Sequence, residues 1–107
     1  MGYETDLKLF IDGVWKSGEG RNAHTVVNPV NASPIAEFPF ATAADLEEAL
    51  EATNRAWPEW RSTDVEKRGA ILHKAAALMR ERIDLIAATM TQEQGKILAE
   101  AKAEVLG

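Results

Sequence analysis

The pattern of apolar and polar positions changes character once along the chain, near residue 42. Before that point the apolar runs are short and extended. Leu7, Leu9 and Ile11 alternate with Lys8, Phe10 and Asp12, and Asp12-Gly13 can supply the positive φ angles of a two-residue turn. With Val14 and Trp15 opening the return strand, a β-hairpin is expected over Leu7 to Ser17. Gly18-Glu19-Gly20 reads as a flexible connection. A second β-branched run, His24 to Val27, is stopped by Asn28-Pro29, because proline has no amide proton for a ladder. Asn31 to Pro34 should turn the chain, and Ile35 to Phe40 should form a further extended segment held to an edge by Pro34 and Pro39.

After residue 42 the period becomes helical. Thr42 reads as an N-cap, with Asp45, Glu47 and Glu48 favouring the positive end of the helix dipole. Leu46, Ala49, Leu50, Thr53 and Trp57 recur on one face, Pro58 is expected to end the element near Ala56, and Trp60 to fold back onto the core. Thr63 and Glu66, three apart, read as a capping box for a second helix. Leu72, Ala75, Ala76, Met79, Ile83, Leu85, Ile86 and Met90 then form a wide stripe that predicts burial along much of its length. A break near Arg82, with Asp84 capping a fresh helix, stays open. Gly95 is a natural C-terminal stop. Ile97, Leu98, Ala101, Val105 and Leu106 open a last helix of about ten residues, a length that is marginal alone in water. Its stripe is still running at Gly107, so the terminus reads as a cut. The expected fold class is α+β: antiparallel β-hairpins over 1–41, then three to four α-helices over 42–107, near 43–56, 64–94 and 97–106.

Composition narrows this picture. The 107 residues are 46% apolar and 27% charged, a globular rather than disordered balance. A net charge of −5 with interspersed signs argues against nucleic acid or an anionic membrane as a partner. No window approaches the roughly 18 apolar residues of a membrane span. The acidic opening lacks the order of a signal peptide, so a reducing cytoplasm is the default. Cysteine is absent, which removes disulfides, thiolate metal sites and a cysteine nucleophile from these residues.

No catalytic constellation stands out. His24 and His73 lie far apart and outside any metal-ligand spacing, and His73 reads as a helix flank. Glu47, Glu48 and Glu51 could be a paired-carboxylate site but read as a solvated helix face. Trp15, Trp57 and Trp60 could line a pocket but read as core, since so short a chain needs its largest side chains inside. Glu93 and Lys96 form an ordinary i, i+3 pair. Gly18-Glu19-Gly20 lacks the strand-to-helix setting of a phosphate loop.

The linear order of short segments says more. Leu9-Phe10-Ile11-Asp12-Gly13-Val14-Trp15 resembles the "lfIdGeW" opening of the NAD(P)-dependent aldehyde dehydrogenase superfamily. Val27-Asn28-Pro29 is similar to its "vNPatG" turn. Ala41 to Asp45 through Trp57-Pro58-Glu59-Trp60 resembles its first helix, and Glu66-Lys67-Arg68 to Ile71-Leu72 its second. Glu93-Gln94-Gly95-Lys96, followed by Leu98-Ala99-Glu100-Ala101, resembles the "E.GKplaEa" block, in wording most like the succinate-semialdehyde dehydrogenase branch. Two departures are Asn31-Ala32-Ser33, in place of a small-residue and glycine turn, and Ile97 in place of proline.

The resemblance implies the N-terminal segment of an enzyme oxidising an aldehyde, such as succinate semialdehyde, to a carboxylic acid with NAD or NADP. In that family a cysteine thiolate attacks the aldehyde, hydride passes to the nicotinamide, and glutamate-activated water cleaves the thioester. Those residues and the Rossmann-like part lie beyond Gly107 in family members. The chain alone is therefore expected to hold no catalytic or cofactor-binding residue, to bind no cofactor and to be inactive. Carried over by resemblance, the Val27 carbonyl and the Glu93 carboxylate are part of a monovalent-cation site whose oxygen ligands suit a hard cation. Apolar helix faces meant for absent protein imply self-association, with the last helix as the expected contact. The rival reading is a stand-alone helical interaction or scaffold module from the same family.

Overall fold

The computed structural model describes residues 6–107, so the reading of the first five residues lies outside the described region. The fold is α+β: two small antiparallel hairpins followed by four helices. The first hairpin joins β1 (Leu9–Ile11) to β2 (Val14–Lys16), pairing Leu9 with Lys16, Phe10 with Trp15 and Ile11 with Val14. Asp12 and Gly13 between them take φ of 50° and 78°, the left-handed pair that a tight hairpin turn of matching twist requires. The second hairpin joins β3 (Ala23–Val27) to β4 (Pro34–Pro39). Both hairpins and both proline edges fall where the alternation places them.

The helices are α1 (Ala43–Ser62), α2 (Val65–Glu81), α3 (Ile83–Gln94) and α4 (Leu98–Leu106). Thr42 caps α1 in a full capping box with Asp45 as its partner. Pro58 does not end α1, which runs one turn further to Ser62. Proline removes one amide donor, and the extra turn is closed instead by the amide and hydroxyl of Thr63, which both donate to the Glu59 carbonyl. Thr63 is thereby spent on the end of α1. The N-cap of α2 is Asp64, whose side chain accepts from the Glu66 amide, so the expected Thr63/Glu66 box does not form.

The helical run breaks at Arg82 (φ −100°, ψ 15°), which ends α2 and precedes α3. Asp84 sits inside the first turn of α3 as a favourable negative charge rather than as its cap. Gly95 stops α3 in the left-handed conformation, φ 74°, and its amide donates to the Thr91 carbonyl at 2.9 Å.

Two compact units divide the described residues. One comprises residues 6–26 and 35–63, where α1 lies along β1. The other comprises residues 27–34 and 64–107, where α4 packs against α3 and α2 touches both.

The interior differs from the pattern-based expectation. Among the described residues the buried apolar side chains are all small, Ala36, Pro39, Ala87 and Ala101, and no large side chain is fully enclosed. No residue of α2 is buried, although its stripe predicts burial. Trp15, Trp57 and Trp60 are all exposed, contrary to a core role and to a folding-back of Trp60. A helix stripe records a preference for apolar surroundings, not the presence of something to supply them.

Candidate functional site

The densest polar arrangement centres on Asp45, only 4% exposed at the first turn of α1. Arg21 approaches in a fork, Nη1 to Oδ2 and Nη2 to Oδ1, the latter at 3.0 Å. Lys16 Nζ donates to Oδ1 at 3.4 Å. The Thr42 amide and hydroxyl both donate to Oδ2 at 2.7 Å, and the Asp45 amide returns a bond to the Thr42 hydroxyl at 3.2 Å. Lys16 also pairs with Glu48 one turn further along α1. The hairpin, the following loop and the helix start are thus tied at one carboxylate.

Arg21 first, then the Thr42 amide and hydroxyl, hold the Asp45 carboxyl far below the ordinary carboxylate range. The same pairing raises Arg21, while Glu48 chiefly raises Lys16. Five donated hydrogen bonds occupy the two oxygens of Asp45. A carboxylate so committed has no lone pair to offer a substrate and no tendency to take up a proton near neutrality, which suits a structural clamp rather than a general base. From the sequence Asp45 reads only as a helix-dipole residue. The missed signal was the Thr42-x-x-Asp45 spacing together with two cations in the preceding hairpin and loop.

A second arrangement involves the two residues carried over for a cation site. Val27 ends β3, and the Asn28 turn follows it. Asn28 Oδ1 accepts from the Val30 amide at 2.9 Å, Asn31 Oδ1 from the Ser33 amide at 3.0 Å, and the Ala32 amide donates to the Asn28 carbonyl at 2.8 Å. Ala32 takes φ 58°, the left-handed conformation, so asparagine side chains here enforce a bend usually left to glycine. Pro29 of this turn lies against Gly95, where a Cβ would come within 3.4 Å of the proline Cγ. The segment two residues beyond Val27 therefore meets the segment two residues beyond Glu93. Among the described residues no group of three or more His, Asp or Glu is arranged to hold a metal ion.

The remaining candidates separate. His24 lies on β3 with its ring centroid 6.4 Å from that of Phe40, and His73 is on the exposed flank of α2. Glu48 pairs with Lys16 while Glu47 and Glu51 are exposed, so the three do not form a paired-carboxylate site. Lys96, read as the partner of Glu93, forms an ion pair with Glu104. An open groove of about 560 Å³ is lined by Asp6, Leu7, Lys8 and Trp15, with Asp6 and Lys8 paired at 2.8 Å. Its walls carry no buried nucleophile or base.

The described residues place an ion-paired carboxylate and a proline–glycine contact within two compact units, and comparison with known proteins supplies the family. The family model described as "Aldehyde dehydrogenase family" matches residues 15–107. The chain belongs to the aldehyde dehydrogenase family. It is 40% identical over 98 residues to the NADP+-named succinate-semialdehyde dehydrogenase GabD of Escherichia coli, covering 92% of this chain and 20% of that protein. It is 38% identical over 99 residues to malonate-semialdehyde dehydrogenase of Bacillus pumilus, covering 92% of this chain and 20% of that protein. The crystal structure of an aldehyde dehydrogenase from Brucella melitensis biovar abortus superimposes with a TM-score of 0.87 at 35% identity, covering 92% of this chain and 20% of that one. This aldehyde dehydrogenase chain thus spans about one fifth of the length of the relatives it matches. Among its described residues no helix is long and apolar enough to cross a membrane.

Proposed function

We propose that residues 1–107 are a single N-terminal segment of a cytoplasmic enzyme that oxidises an aldehyde to a carboxylic acid with NAD or NADP, with succinate semialdehyde as the foremost candidate substrate. Taken alone, the 107 residues do not turn over and do not bind the cofactor. The observation that carries this reading is the match of nearly the whole chain to about one fifth of semialdehyde dehydrogenases. The nicotinamide, when bound, accepts the hydride of the oxidation.

What these residues contribute is support. The Asp45 clamp fixes α1 on the first hairpin, and the Asn28 turn seats against the end of α3. The Val27 carbonyl and the Glu93 carboxylate offer oxygens to a monovalent cation from that corner, the rest of the shell coming from outside these residues. The exposed apolar helix faces favour self-association, and neither nucleic acid nor membrane is a partner of a surface carrying a net charge of −5.

Two measurements test this. Purified chain given succinate semialdehyde and either cofactor should form no reduced nicotinamide, and protein-dependent turnover would contradict the inactivity. Reading the coding frame past Gly107 should reveal a cysteine, a glutamate and a glycine-rich nucleotide loop. A stop codon directly after Gly107 would favour the stand-alone interaction module instead.

A further inference from the structure

We draw no further inference here: the strongest candidate, the bare apolar face of α2 formed by Val65, Leu72 and Met79, carries nothing, because the chain spans about one fifth of its relatives and nothing in the structure shows what covers that face.

Discussion

At the scale of single residues, one carboxylate organises the first unit. Asp45 is almost fully buried, and burying a charge is unfavourable unless it is paired and hydrogen-bonded. Arg21, Lys16 and Thr42 meet that requirement together. Because Asp45 is held below the ordinary carboxylate range in the folded chain, it contributes stability above the unfolded-state pKa of about 3.9. That contribution is lost as the pH falls below about 4, when the unfolded chain takes up a proton that the folded chain resists. Urea midpoints measured from pH 7 downward should therefore drop below pH 4. In Asp45→Asn the midpoint should be lower at pH 7, with a shallower acid dependence. An unchanged acid slope in that variant would remove Asp45 from its central place.

At the scale of elements, Pro58 shows how far local rules reach. A proline in a helix interior costs about 3 kcal/mol through its missing donor and its clash with the preceding turn. Helix α1 nevertheless continues to Ser62, because Thr63 and Ser62 cap the Glu59 carbonyl from the far side. Pro58→Ala should accordingly stabilise the chain, by up to about 3 kcal/mol in chemical denaturation, without lengthening α1 in its amide-exchange pattern. If α1 instead shortened to end near Ala56 on heating before the rest melted, the last turn would be an independent unit. The break at Arg82 was legible as a possibility, and the sharp stop at Gly95 as an expectation, since both depend on neighbours within one turn.

At the scale of the whole molecule, the defining property is how little apolar surface is enclosed. Among the described residues only small apolar side chains, Ala36, Pro39, Ala87 and Ala101, are buried, while Phe10, Trp15, Leu72 and Trp57 each keep more than half of their surface in water. Apolar surface left in water favours association and the uptake of apolar ligands. The dilute chain should bind an apolar fluorescent dye at neutral pH while its helices are intact by circular dichroism. Its urea m-value should lie at or below about 1 kcal/mol/M, the low end for small proteins, because little surface is left to expose on unfolding. A chain that excludes the dye and unfolds with a steep transition would mean its faces are already covered.

The sequence by itself determined the elements whose cause is local. The Asp12-Gly13 hairpin, the Thr42 cap, the Gly95 stop and the proline-edged strand follow from φ preferences and hydrogen bonds that span four residues or fewer. The order of its short segments also carried the family, since each resemblance is a run of adjacent residues. Only the tertiary structure decided the rest. It placed Arg21 and Lys16 on Asp45 from 24 and 29 residues away, set Pro29 against Gly95, and left the tryptophans in water. Burial and pairing depend on which distant surfaces meet, and an amphipathic pattern states only that a surface would be more stable covered.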